Sequence, residues 1–301
     1  MNSTVTQHDG PIIFDGEEGA IVDCQFCQFA HMSPLPTDSE IMEFYRSKFY
    51  QSFKPDYLEK QNEDLDWWKF TYDGLLNRLE DRIGRKGRLL DVGCGPGLLV
   101  EHAQLNGWDV VGLEPSSAAV LWAQERDLEV HEGEYSHAVA QSLGLFDGIV
   151  INQTLEHVLN PAALVQRCHD FLAPGGALSV VVANDFNPLQ HLALEQLKIA
   201  PWWVQLPEHI NYFTPASLGS LFESSGLIEL TARMSYPPEN FLLMGIDYAS
   251  NPEMGKEAHL MRKKFELSFG LGNPDLFEKV SRLNVDLALG RHVEMIGIKE
   301  K

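Results

Sequence analysis

The chain has 301 residues, 43 acidic against 23 basic, 44% apolar, with four cysteines. That is enough chain for one large domain with a full core, while a formal charge of −20 weighs against nucleic acid or an anionic membrane as partner. Cys24, Cys27, Cys94 and Cys168 are too few and scattered for a disulfide framework, no apolar run nears the ~20 residues of a membrane helix, and Met1–Glu18 lacks the features of a signal peptide, so a soluble, cytoplasmic protein is expected.

In chain order, the first forty residues read as short extended pieces broken by Gly and Pro, with Cys24-Gln-Phe-Cys27 inside. Thr37-Asp-Ser-Glu40 is a capping-box pattern and predicts a helix over about 39–50. Leu65, Trp68, Tyr72, Leu75, Leu79 and Ile83 recur at spacings of three and four, an amphipathic helix packed on something larger. From Arg88 the rhythm changes. Arg88–Val92, Asp109–Leu113, Leu128–Val130, Phe146–Ile151 and Ala177–Val182 read as strands separated by helical stretches, which implies a parallel, doubly wound sheet. An irregular stretch rich in Pro and Trp follows. Thr214-Pro-Ala-Ser217 opens another helix, residues 253–270 place Met254, Ala258, Met261, Phe265 and Phe269 on one face, and Met295–Ile298 reads as a final strand.

The most informative stretch is Leu89-Leu-Asp-Val-Gly-Cys-Gly-Pro-Gly-Leu98. A buried strand ends at Asp91-Val92, and Gly93, Gly95 and Gly97 let the backbone turn and approach a ligand closely. A dinucleotide loop wants G-x-G-x-x-G; here the third glycine comes one residue early and Leu98 occupies the required position. Between Arg88 and Arg167 the only Lys or Arg is Arg126. Spacing and charge agree against a phosphate-bearing ligand, and so against an NAD-dependent oxidoreductase.

An acid before G-x-G-x-G resembles motif I of the class I S-adenosylmethionine-dependent methyltransferases. Glu114-Pro115 at the end of the second strand, Gly133-Glu134 after the third, Phe146–Val158 around the fourth, and Leu172–Leu178 before the fifth follow in that family's order over roughly 87–184. The resemblance implies a seven-stranded, mostly parallel sheet with an antiparallel last strand, and S-adenosylmethionine as cofactor. It places Asp91, Gly93, Gly95, Gly97, Glu114, Pro115, Glu134, Asn152 and Gln153 around that cofactor, with Glu114 accepting both ribose hydroxyls. His209–Leu218 and Leu221–Leu227 resemble a subgroup of small-molecule methyltransferases with an amino-terminal cysteine-containing, zinc-associated segment. Many of its members carry two C-x-x-C pairs; this chain keeps only Cys24 and Cys27. His8 or His31 could complete a zinc site, but a remnant knuckle without metal is the favoured reading.

The organisation expected is a cap over 1–86 and a catalytic domain over 87–301, with the substrate wall drawn from 185–215 and from an insertion at 236–290. His157, just beyond the fourth strand, and His209 are the candidate bases, with Tyr212 behind them. Trp68 reads as a packing anchor; Trp202 and Trp203 could either pack or cage the sulfonium. Methyl transfer to oxygen or carbon of a small molecule, a sugar or secondary metabolite among the candidates, is the expected reaction. The alternative is a non-catalytic S-adenosylmethionine-binding or partner-binding protein of the same fold.

Overall fold

The computed structural model describes residues 8–45 and 63–301. Two sheets organise it. The smaller joins β1 (Ile12–Gly16), β2 (Gly19–Asp23) and β3 (Ala30–Ser33) to a distant strand, β9 (Asn211–Tyr212), in the order β1-β2-β3-β9. The extended pieces of the first forty residues are thus a three-stranded meander whose open edge is covered by the chain after residue 210. Thr37 caps α1 (Asp38–Glu43) with the reciprocal Thr37–Glu40 bonds expected of a capping box; the part of the expected 39–50 helix beyond Tyr45 lies outside the described residues.

The amphipathic stretch forms α2 (Leu65–Ile83), burying Tyr72, Leu75, Leu76 and Leu79 and ending on Gly84 in the left-handed conformation. Then strand and helix alternate: β4 (Arg88–Val92), α3 (Leu98–Leu105), β5 (Asp109–Glu114), α4 (Ser117–Gln124), β6 (Val130–Glu132), α5 (His137–Leu143), β7 (Phe146–Asn152), α6 (Pro161–Phe171) and β8 (Leu172–Ala183). The third strand starts two residues later than the sequence indicates. The fifth begins earlier, because the Ala173–Gly176 turn is taken up as a register shift against β7. After α7 (Pro188–Leu197) and β9 come α8 (Pro215–Ser224), β10 (Leu227–Met234), α9 (Glu239–Leu243), α10 (Pro252–Gly272), α11 (Pro274–Leu287) and β11 (His292–Lys299).

The main sheet has the order β10-β11-β8-β7-β4-β5-β6. Its pairings from β6 through to β8 are parallel, and β11 runs antiparallel to both neighbours. Period-two alternation sends Leu90, Val92, Ile149 and Ile151 into the layer shared with α6 and α8, and Leu89 and Val150 into the layer shared with α2 and α3. Burial on both faces explains why these strands read as short apolar runs. Their carboxyl ends, with β5–α4 and β7–α6 connections above them, hold the site.

Helix α10 departs from its sequence reading. Its buried row is Ala258, Arg262, Glu266 and Gly270, while Met254 and Phe265 of the expected apolar face are exposed. Glu266 accepts from Trp67 Nε1 at 2.6 Å and from the Tyr236 N–H at 3.0 Å, and Gly270 lies against Phe70. Specific polar partners have turned the helix away from the face its hydrophobicity would bury. Among the described residues no helix is long and apolar enough to cross a membrane.

Candidate active site

The glycine loop folds as it does because each glycine takes a backbone conformation that a side chain would oppose. Gly93, Gly95 and Gly97 have φ of +73°, +55° and +81°. A Cβ on Gly93 would lie 2.4 Å from Thr154 Oγ1. The N–H groups of Gly93 and Cys94 both donate to Leu113 O, which fastens the loop to the end of β5 and brings Glu114 beneath it. Glu114 Oε2 accepts from the Gly95 N–H at 3.0 Å and Oε1 from the Ser116 N–H at 2.9 Å.

Glu114 and Asp91 are 5% and 2% exposed. Burial pushes the Glu114 carboxyl up to about 7 against the pull of its two amides. Burial, and secondarily the charge of Glu114, raises Asp91 to about 7 as well. Asp91 Oδ1 is buried without a hydrogen-bond partner among the described residues. Among the described residues, two carboxyls so placed have no counter-cation. Arg126 does not supply one: it pairs with Glu101 and stacks on Trp122, 4.5 Å from the ring centroid.

These residues open into a cavity of about 1120 Å³. Asp91, Gly93, Gly95, Glu114, Pro115, Glu134, Asn152, Gln153 and His157 all line it. Gly97 does not: it caps the start of α3 and packs near Leu128 and Ala123. Gln153 holds φ at +52°, with its N–H on Val181 O at 2.8 Å. A non-glycine residue in that region at a strand end is a stored strain of the kind found at ligand sites. Ile41, Met42, Tyr45, Trp68 and Tyr72 also line the cavity. Trp68 stacks on Tyr72 at 5.6 Å, so it faces the cavity, whereas its neighbour Trp67 is the buried anchor. Trp203 is buried beside Phe186 and Trp202 sits edge-on to Tyr248; neither lines the cavity.

Beyond the fourth strand of the parallel set lies a group of proton carriers. Glu156, His157 and His209 place ligand-type atoms within 4.8 Å of one another, and the two imidazole centroids are 5.0 Å apart. The contact of His157 Nδ1 with Glu208 O at 2.7 Å assigns the proton to Nδ1 and makes Nε2 the unprotonated nitrogen of the neutral ring. His209 Nδ1 lies 4.0 Å from Asp185 Oδ2, and Asp185 is paired with Arg291. Glu156 is 3% exposed; burial first, with Asp185 adding, raises its carboxyl to about 8. Tyr212 is buried, its ring centroid 6.5 Å from that of His209. His157 reaches the cavity wall; His209 and Tyr212 stand behind it.

Sequence reasoning missed Tyr45 and the Asp185–Arg291 pair as parts of this site, and considered Glu156 only as a loop-stabilising or cofactor-contacting residue. The Leu-Glu-His triplet carried the signal for Glu156. Tyr45 donates to Glu208 O at 3.1 Å and lies edge-on to His157 at 5.5 Å, a contact between segments that no local pattern announces. At the amino end, His8, Cys24, Cys27 and His31 also converge, with ligand atoms within 4.8 Å of one another. The two-cysteine remnant therefore has both histidines beside it, not one or the other.

Residues 57–230 match the family model described as methyltransferase domain. The chain belongs to the methyltransferase domain family. Among curated relatives of this methyltransferase, the mitochondrial ubiquinone biosynthesis O-methyltransferase of Mus musculus is 28% identical over 191 residues, covering 59% of this chain and 50% of that protein. The Azotobacter vinelandii enzyme of the same name is 30% identical over 164 residues, covering 50% and 69%. The chain thus spans about half the length of the mitochondrial relatives it matches. Solved structures share the fold. A SAM-dependent methyltransferase from Archaeoglobus fulgidus aligns with TM-score 0.51 at 18% identity, covering 77% of this chain and 94% of that one. The plantazolicin methyltransferase BamL aligns with TM-score 0.53 at 15% identity, covering 87% and 94%. S-adenosylmethionine is the cofactor of this methyltransferase family, and the orphaned Asp91 oxygen and the glycine cradle over Glu114 fit a cationic nucleoside of that kind.

Proposed function

We propose that this methyltransferase transfers a methyl group from S-adenosylmethionine to a hydroxyl oxygen of a small, uncharged organic acceptor. The observation that carries the reading is one continuous cavity running from Asp91 and Glu114 to His157. Glu114 accepts the ribose hydroxyls, and the turn at Gly93 and Gly95, which lines the cavity, lets the cofactor approach the backbone closely. Asp91 and Glu114 in their ionised forms compensate the sulfonium charge. S-adenosylmethionine supplies a methyl group that is already electrophilic, so the chain's work is alignment, exclusion of water and proton removal.

His157 Nε2 takes the acceptor's proton, and Glu156 and His209 stabilise or pass it on. The lining carries Asp38, Asp64, Asp91, Glu114 and Glu134, with Arg167 as the one Lys or Arg among the described lining residues. The Arg167 guanidinium donates to Tyr135 O at 2.6 Å, and the acid excess of the described lining disfavours an anionic acceptor. Ile41, Met42, Trp68 and Tyr72 offer apolar surface to an aromatic acceptor, and the O-methyltransferase names of the relatives point to oxygen.

Calorimetry with S-adenosylmethionine and NADH, followed by methyl-labelled transfer to a panel of catechols, phenols and sugar hydroxyls, tests this. The expectation is binding of S-adenosylmethionine and not of NADH, and label on a neutral phenolic oxygen. Tight cofactor binding with no transfer to any hydroxyl would favour the non-catalytic alternative.

A further inference from the structure

We infer that helix α11 (Pro274–Leu287) is the contact surface of a homodimer, in which it pairs antiparallel with α11 of a second copy about a twofold axis. The helix is held to its own sheet from one side. Ser281, 3% exposed, accepts from Arg233 Nη2 at 3.0 Å, and Phe277 lies under the same guanidinium at 5.5 Å. Glu278 lies 3.3 Å from Arg233 Nε, and Asn184 Nδ2 donates to Ala288 O at 2.9 Å just beyond the last turn. These polar anchors fix the rotation of the helix about its axis.

That rotation leaves the helix's apolar row uncovered. Leu276, Val280, Leu283 and Leu287 are 47%, 38%, 57% and 52% exposed. Their spacings of four, three and four put them on one stripe, the d-a-d-a order of a coiled-coil seam. An apolar row of that length facing water is a surface for association.

The flanking residues select the occupant. In the same heptad frame Phe277 and Asn284, both half-buried, border the row at the e positions, on the side toward the sheet. Lys279 and Asp286, both exposed, border it at the g positions. Glu278 and Arg282 pair with each other at 2.8 Å; among the described residues Lys279 and Asp286 have no such partner. In an antiparallel helix pair, a packs on d and g faces g. Leu276 then packs on Leu287 of the partner subunit, Val280 on Leu283 of the partner subunit, and Lys279 faces Asp286 of the partner subunit. The twofold axis repeats each contact, so the row and its charges are complementary to themselves. A parallel pair would set Lys279 against Asn284 of the partner subunit and form no ion pair there. An anionic membrane fits less well, because Asp275, Glu278 and Asp286 outnumber Lys279 and Arg282 along the helix.

The test is sedimentation equilibrium of the full-length chain over a concentration series. It is run at physiological ionic strength, where charges beyond ~8 Å are largely screened and the net charge of −20 least opposes pairing. The wild-type chain should reach twice the mass of one chain, and Leu283→Glu should abolish the dimer. Lys279→Asp and Asp286→Lys should each weaken it roughly tenfold, because each turns two ion pairs per dimer into like-charge contacts. The Lys279→Asp/Asp286→Lys combination should restore it. S-adenosylmethionine affinity of all four variants should match wild type, since none of these residues lines the cofactor cavity, and this shows that the variants are folded. A wild-type chain that stays monomeric throughout would overturn the proposal, and its flotation with phosphatidylserine vesicles would give the row to a membrane. A dimer that survives Leu283→Glu, or that the swapped charge pair fails to restore, would overturn it equally.

Discussion

Replacing Glu114 with glutamine separates cofactor recognition from stability, because opposing effects offset each other in the free protein but not in cofactor binding. In the folded chain the carboxyl titrates at about 7 instead of 4.5. At pH 8 it is ionised in both folded and unfolded states, and the folded state alone bears a penalty of about 3 kcal/mol. That penalty grows between pH 4.5 and 7 and is absent below. Glutamine removes it. In exchange, the amide NH2 must face either the Gly95 or the Ser116 N–H, and one hydrogen bond worth about 1–3 kcal/mol is lost. The two effects nearly cancel, so the free protein's stability at pH 8 should move by no more than about 2 kcal/mol. The cofactor gains nothing from the exchange. It loses a charge-assisted bond from a ribose hydroxyl and the compensation of its sulfonium, and Kd should rise roughly 10- to 100-fold. Calorimetric titration with S-adenosylmethionine and urea unfolding of the same preparations are the paired assays. Unchanged affinity, or an affinity loss matched by a stability loss of the same size, would refute the reasoning.

Asp91 and Glu114 both titrate near 7 in the free protein, so cofactor binding should release protons between pH 6 and 7, with affinity falling about tenfold per carboxyl from pH 8 to pH 6. Titrations in two buffers of different ionisation enthalpy measure this, and equal heats would count against it. His157→Ala should lower kcat by roughly 10²–10⁴ with S-adenosylmethionine affinity little changed, and His209→Ala should act in the same direction; a change confined to KM would remove both from proton transfer. Trp67→Phe deletes the 2.6 Å bond to Glu266 and should cost about 1.5–3 kcal/mol in urea unfolding; no loss would mean that Glu266 finds another donor.

The cofactor half of the site was legible because its determinants are local. Asp91, Gly93, Gly95 and Glu114 lie at strand ends within 24 residues of one another, and glycine spacing records backbone geometry directly. The parallel pairing of the central strands followed from alternation, and the antiparallel last strand from the family resemblance. The catalytic half was less visible. His157 and His209 are brought together because the Ile210 N–H donates to Glu156 O and the Asn211 amide to Val158 O, contacts without sequence periodicity. Tyr45 enters through a further long-range contact, to Glu208 O. On α10 the apolar stripe pointed to the wrong face, since Arg262 and Glu266 are buried by partners on α2 and the β10–α9 turn that a single helix's pattern does not contain. Gly97 was grouped with ligand-contacting residues through its spacing, although its work is to start a helix.

The edge pairing of β3 with β9 divides the protein's task along its length. The strand-end turns that line the cavity at Asp91–Gly95, Glu114–Pro115 and Asn152–Gln153 close through short connections, whereas Ala30 must reach Tyr212 across most of the chain. Closing so long a loop is costly and comes late. A chain with its central sheet formed and that edge still open is expected to bind its cofactor while lacking the strand pairing beside His209. Cofactor occupancy therefore reports a finished cradle, and only the seam between the two sheets reports a finished enzyme.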